Sequence, residues 1–544
     1  MSVFLPSMRA RLIPHAIVIL VLWPLVSIGV GGALLVEQSI SEGMPLGVLY
    51  AGMAAGAIRM LPEFAICGLL LLGLSLVGFS AAAALTRQAR RTTLAAEAVV
   101  LLLAGAAGVA LEFPAVLHHP LFRLLRTVPV WCATGWIFLI AIGIGLIVGR
   151  DLAGWWGAAR SGVFLVLVSV AMWRVSFLPL WEPLRDAQPN TTVLFGIDSL
   201  SHDDDLRPLA AFTRQHHGTW YERAVTPGFL TNTVWASILM HRPVNETGVF
   251  FIRQAPDWSK APFNLVARAR RDGFTTVSYF SDQFTTFVGS EAGFDLDRSG
   301  PKGWLQVATT CVKDASVFLP LLQPRLPPIP LAGTPANQSG TYAFDVRQEV
   351  NAILAPGVVD GKTFVAAHLD SLHQSRYPRY SELTHDERDR VLLAPAGAVH
   401  DLSFDWQYPE PEKEPLGVYR WKVRWIQRLI AGEIVRTKFL DPGKNNRLIV
   451  FSDHGNRKGL LQTNFGEERF HRVIMATFGV PSRDPAGPIS VAGISEWLGF
   501  DDPTRAPLEP VMVHVGVTAE EWSALMKSSR IRSNGEYSFD EKML

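Results

Sequence analysis

Residues 447–455, Arg-Leu-Ile-Val-Phe-Ser-Asp-His-Gly, place an acid, an imidazole and a glycine at the end of a short apolar run rich in β-branched residues. Such a run reads as a buried strand. A carboxylate followed by an imidazole at its carboxyl end forms a mixed oxygen and nitrogen donor pair suited to a divalent cation. Open α/β sheets put their chemistry at that edge. Asp198 repeats the arrangement, because it follows Thr-Thr-Val-Leu-Phe-Gly-Ile over 191–197, a second buried-strand pattern.

Two more groups of side chains have the types that phosphoryl or sulfuryl chemistry needs. Thr231 and Thr233 lie where a Pro- and Gly-containing loop enters a short helix. A hydroxyl there ordinarily caps the helix. It is also where an attacking alcohol would face an oxyanion with the helix's positive end behind it. His368 and His373 follow an expected strand over 363–367, and Arg376 and Arg379 come next; imidazoles and guanidinium groups in that order suit proton transfer and anion recognition.

The elements that must carry these residues alternate. Further strands are expected over 275–280 and 473–478, with helices over 206–212, 263–271, 344–354, 416–434 and 494–500, which predicts an α/β domain. Asp203, Asp204 and Asp205 fall where acids favour the first turn of the 206–212 helix. Tyr419, Val423, Ile426, Ile430 and Ile434 recur at helical spacing and predict a core-facing stripe. The Pro-rich stretch 319–340 reads as an extended excursion.

A chain of 544 residues exceeds the usual single domain. Its apolar residues crowd into 1–181, whereas 182–544 has the composition of a globular domain. Five stretches, 16–36, 64–85, 94–117, 130–148 and 163–181, match the roughly 20 helical residues needed to span a hydrocarbon core. Arg9, Arg11, Arg87, Arg90, Arg91, Arg150 and Arg160 fall on one side of these spans and Arg59, Arg123 and Arg126 on the other. The richer side is expected in the cytoplasm and residues 182–544 outside it. The net charge of +1 argues against a nucleic-acid binder that lives on phosphate contacts. Cys311 is the only cysteine of 182–544, which excludes a disulfide within that region.

Taken in order, Gly-Ile-Asp198-Ser, the Thr231 loop running to Gly248, His368 to Pro378 and Ser-Asp453-His454-Gly455 resemble the alkaline-phosphatase superfamily, in its sulfatase-like branch, over most of 190–480. The anchor ahead of an exported domain is similar to the membrane phosphoethanolamine transferases and the lipoteichoic-acid synthases. The resemblance implies a five-helix transmembrane domain followed by an alkaline-phosphatase-like α/β/α sandwich with a mostly parallel central sheet. It implies that Asp198, Asp453 and His454 bind a divalent metal, zinc or manganese, and that Thr231 is both nucleophile and metal ligand. His368 and His373 keep the spacing of two histidines that contact substrate phosphate or a second metal in those transferases, and Arg376 matches the Arg-Tyr-Pro that follows there.

The activity this implies is transfer of a phosphorylated head group, phosphoethanolamine or phosphoglycerol, from a membrane phospholipid to an envelope glycan or glycolipid. The location it implies is the bacterial inner membrane, with the catalytic domain in the periplasm. The transferases typically carry Glu at the position of Asp198, whereas Asp is the habit of the hydrolytic sulfatases, so a membrane-anchored phosphate or sulfate ester hydrolase is the rival. An inactive envelope scaffold is a third reading.

Overall fold

The computed structural model describes residues 16–42, parts of 47–72 and 124–143, and most of 185–280. It further describes 291–299, 346–395 with gaps that include 373–381, 418–455, 471–500, and the pairs 530–531 and 537–538. The first described element is a π-helical turn, Ile17–Leu22, that continues into α1 (Trp23–Glu42). No described helix is long and apolar enough to cross a membrane. The spans expected over 94–117 and 163–181 lie outside the described residues, as do parts of 64–85 and 130–148.

The globular region then runs β1 (Thr191–Ile197), α2 (Arg207–Gln215), β2 (Thr219–Val225), α3 (Thr231–Met240), α4 (Leu265–Arg271), β3 (Phe274–Phe280), β4 (Leu296–Asp297), α5 (Val346–Leu354) and β5 (Lys362–Leu369). It continues with α6 (His385–Leu393), α7 (Val418–Arg436), β6 (Arg447–Ser452), β7 (Arg472–Phe478) and β8 (Ile489–Ser490). The eight strands form one sheet in the order β4-β3-β5-β1-β6-β7-β2-β8. β4, β3, β5, β1 and β6 are mutually parallel, and β7 runs against both of its neighbours.

The alternation of side chains along each central strand divides the interior in two. Val193, Phe195 and Ile197 of β1 join Val365 and Ala367 of β5 and Leu448 and Val450 of β6, packed against α5 and α7. Leu194, Phe364, Ala366, Ile449 and Phe451 face the other way, onto Val234, Trp235 and Ile238 of α3 and Val266 of α4. Helices therefore cover both sheet faces. Each fully buried Val, Leu or Phe contributes about 1.5–3 kcal/mol, so the central strands are the most strongly held part of the domain. The same parity, within β5 and carried one residue past β1 and β6, points His368, Asp198 and Asp453 toward the α3 side.

Several expectations change in detail. β5 extends through Leu369, so His368 lies inside the strand rather than after it. Adding strand pairing up to Ile197↔Leu369 outweighs the polarity of one imidazole. α2 starts at Arg207 with no acid in its first turn; Asp205 precedes it and pairs with the Arg207 guanidinium at 2.8 Å, while Asp203 and Asp204 lie outside the described residues. Val423, Ile426, Ile430 and Ile434 of the expected stripe are buried in the core. The Pro-rich stretch 319–340 lies outside the described residues.

Candidate metal centre

β1 and β6 are hydrogen-bonded in register up to Ile197↔Ser452, so the next residue of each, Asp198 and Asp453, leaves the sheet edge at the same height. Both are buried, at 3% and 0% exposure, and His454 is fully buried beside them. One ligand atom from each of Asp198, Asp453 and His454 lies within 4.8 Å of the others, the spacing of groups that converge on a single cation. His454 Nε2 stands 3.4 Å from Asp198 Oδ1 and 3.6 Å from Asp453 Oδ2.

Local bonds aim these groups. The Ser452 hydroxyl accepts from Leu200 N at 3.0 Å and donates to the His454 carbonyl at 2.7 Å, which ties the turn after β6 to the turn after β1. His454 N donates to Asp453 Oδ1 at 2.8 Å. His454 Nδ1 lies 2.9 Å from the Gly455 carbonyl. A carbonyl oxygen only accepts, so Nδ1 carries the proton and the lone pair of a neutral ring is on Nε2, the nitrogen facing the two carboxylates.

Ser199 is a participant that sequence motifs did not single out. It adopts φ 58°, a left-handed conformation that costs a non-glycine residue about 1 kcal/mol. In return its hydroxyl donates to Asp198 Oδ1 at 2.6 Å, its N–H donates to Asp453 Oδ1 at 3.3 Å, and its Oγ lies 3.4 Å from His454 Nδ1. One small residue thus touches all three candidate ligands. The only available signal was the polar residue directly after Asp198.

Electrostatics argue for a cation. Burial, with the Asp198 carboxylate beside it, pushes the Asp453 carboxyl up to about 7 against the opposing pull of His368, the Thr231 hydroxyl and the His454 N–H. Asp453 Oδ2 has no hydrogen-bond partner although it is buried. Two adjacent carboxylates in a dry pocket, one with an orphaned oxygen, and an imidazole lone pair directed between them fit a divalent metal of borderline hardness.

Thr231 opens α3 and is 5% exposed. It does not cap the helix: the capping position belongs to Leu230, whose backbone is extended and which makes no side-chain cap, while the Thr233 hydroxyl donates to the Leu230 carbonyl at 2.7 Å. Thr231 Oγ1 instead lies 3.4 Å from His454 Nε2, on the face where the acids converge. The positive end of a ten-residue helix backs it.

His368 sits one pleat below, paired with Gly196 across β1 and β5. Its Nε2 is 3.8 Å from Asp198 Oδ2 and 4.0 Å from Asp453 Oδ2. The structure thus brings Asp198, Thr231, His368, Asp453 and His454 together, whereas His373 and Arg376 lie outside the described residues.

No family profile matches this sequence, and no curated protein does. Among solved structures the chain is similar to the phosphonate monoester hydrolase of Agrobacterium radiobacter, at 15% identity and a TM-score of 0.38, with 57% of this chain and 74% of that one covered. It is similar to the zinc complex of the C-terminal periplasmic domain of EcEptC from Escherichia coli, at 16% identity and a TM-score of 0.36, covering 63% and 96%. The C-terminal periplasmic domain of phosphoethanolamine transferase EptC from Campylobacter jejuni gives 12% identity and a TM-score of 0.33, covering 58% and 90%. These likenesses are distant, and the chemistry follows from the chain's own residues.

Proposed function

We propose that the chain is a membrane-anchored, metal-dependent phosphotransferase. In this reading 182–544 is an extracytoplasmic catalytic domain, and it moves phosphoethanolamine or phosphoglycerol from a phospholipid to an envelope glycan or glycolipid. The observation that carries the reading is the position of Thr231 Oγ1 at a helix N-terminus, 3.4 Å from an imidazole nitrogen that shares a pocket with two buried carboxylates. Asp198, Asp453, His454 and Thr231 would hold the metal, zinc or manganese. When bound, it supplies a Lewis acid that favours a deprotonated oxygen and draws charge from a phosphoryl group.

The residues then divide the work. Thr231 gives up its proton to water and its Oγ1 attacks the phosphorus of a phosphodiester. The bond to the departing alcohol breaks, and that oxygen takes a proton from the imidazolium of His373, while His368 donates a hydrogen bond to a phosphoryl oxygen. Arg376 pairs with the phosphoryl oxygens. In the second half the neutral His373 takes the proton of an acceptor hydroxyl, which attacks the phosphothreonine and releases Thr231 as alkoxide.

A lipid donor agrees with the amino-terminal third, where Ile17, Val21, Leu22, Leu25 and Val26 are 48–59% exposed along one continuous helical stretch and Trp131, Trp136, Leu139 and Ile140 are also exposed. Apolar side chains turned outward in such density suit hydrocarbon rather than water, in keeping with an inner-membrane anchor. The test is intact mass: after incubation with a phospholipid donor the chain should gain the mass of the transferred group on Thr231, and Thr231→Ala should not. Asp198, where the transferases carry Glu, favours the hydrolase as second reading. In that case the group ends on water even when an acceptor is present, which product analysis distinguishes.

A further inference from the structure

The two histidines at the centre are held in opposite tautomers, and the residue responsible for the difference is Trp235. Trp235 is fully buried in α3, and its indole Nε1 stands 3.1 Å from His368 Nδ1. An indole nitrogen is a donor only, so the direction of this bond is settled: Nδ1 accepts, and it does so with its lone pair. A protonated Nδ1 would set two N–H groups against each other. The single proton of the His368 ring is therefore on Nε2, the nitrogen that looks toward Asp198 and Asp453. An N–H has no lone pair to give a cation. His454, whose Nδ1 donates to a carbonyl, presents the reverse: a lone pair toward the same carboxylates.

The backbone is cut to fit this bond. Gly196 pairs with His368 in the sheet, and a Cβ on it would lie 2.8 Å from the Trp235 ring and 3.2 Å from His368 Nδ1. The absent side chain is the space through which the indole reaches the imidazole. Phe280 and Phe451 hold the indole from the sides, at ring separations of 4.9 and 5.4 Å.

We propose that Trp235 is a positioning residue that holds His368 as the Nε2–H tautomer, keeping it out of the metal's ligand set and leaving it as a hydrogen-bond donor at the edge of a one-metal site. The consequence for catalysis rests on the function proposed above, but the tautomer itself does not.

The experiment uses the full chain in detergent, labelled with ring-15N histidine, with His368 identified by the signal lost in His368→Gln. His368 should show protonated Nε2 and unprotonated Nδ1 in the metal-free chain, and should keep that pattern after zinc is added to saturation at one zinc per chain. In Trp235→Phe, which removes the donor and keeps a ring, the signal should move toward the Nδ1–H form, and zinc affinity should rise at least tenfold or a second zinc should bind. Should that variant not fold, Gly196→Ala perturbs the same bond and should move the signal in the same direction. A wild-type His368 protonated on Nδ1, an Nε2–H signal lost on zinc addition, two zinc ions per wild-type chain, or an unchanged tautomer in the folded variant would overturn the proposal. None of these readouts depends on turnover, so the absence of a Thr231 adduct would count against the proposed function alone.

Discussion

Asp198 and Asp453 leave neighbouring parallel strands one residue beyond the pair Ile197↔Ser452, and so meet as two buried carboxylates with Asp198 N bonded to Leu369 O on one side and Asp453 N to Ile197 O on the other. The sheet's own hydrogen bonds force like charges together. Without a cation the arrangement is unfavourable, and its consequences are measurable.

Metal binding should strengthen with pH through neutrality. Asp453, raised to about 7, holds a proton that a cation must displace, so affinity is low below that value and levels off above it. The sign for stability runs opposite in the metal-free chain. A carboxyl raised in the folded state favours folding below its ordinary 3.8, and that contribution is lost as pH rises from there to about 7, on the order of 4 kcal/mol in all. Thermal melts with and without zinc between pH 5 and 8 should diverge as pH increases; a constant gap would contradict the assignment.

Asp453→Asn should separate stability from function. The amide keeps the shape, removes the charge facing Asp198, and should raise the melting temperature of the metal-free chain at pH 8 by several degrees. Zinc should no longer stabilise it. Such a trade is expected where a site stores like charges for a ligand. Calorimetry of both proteins with and without zinc checks this, and a variant less stable than the metal-free parent would count against it.

Much of the frame behind these acids was legible in the sequence, and for a physical reason. Strands buried on both faces of a parallel sheet read as unbroken apolar runs, so β1, β3 and β6 were visible as such. β2 was not, because Glu222 and Arg223 sit exposed in the middle of Thr-Trp-Tyr-Glu-Arg-Ala-Val on a strand near the sheet's edge. The reversed direction of β7 leaves no trace in composition. The roles of Ser199 and Trp235 were invisible for another reason. Each depends on a partner more than 130 residues away, brought close only by strand register and the packing of α3 on the sheet.

Ser199→Ala should weaken metal binding about 10–100-fold, since the hydroxyl and the left-handed turn together aim Asp198 and the His454 ring. Ser199→Gly relieves the backbone strain while removing the same hydroxyl. Zinc affinities of the two variants should fall together even as their stabilities differ. Equal affinity to wild type in either would remove Ser199 from the site.

Thr231→Ser keeps an alcohol at the start of α3 and should retain activity, whereas Thr231→Ala should lower turnover at least about 10^3-fold. Because Thr231 does not cap α3, the alanine variant should melt close to the parent. A large loss of stability in Thr231→Ala would mean that its lost activity reports folding rather than chemistry.

Strand parity also governs how this protein tolerates insertion and deletion. His368 lies inside β5, and Asp198 and Asp453 directly follow β1 and β6, in strands whose alternate residues face the α3 side, so one residue added within β1, β5 or β6 upstream of its site residue would turn that group into the opposite core, beneath α5 and α7. Connecting segments are free to lengthen, as the long stretches between β3 and β5 and between β5 and β6 do. Length variation among related chains should therefore fall entirely between these three strands, and single-residue changes within them should mark sequences that no longer assemble the pocket.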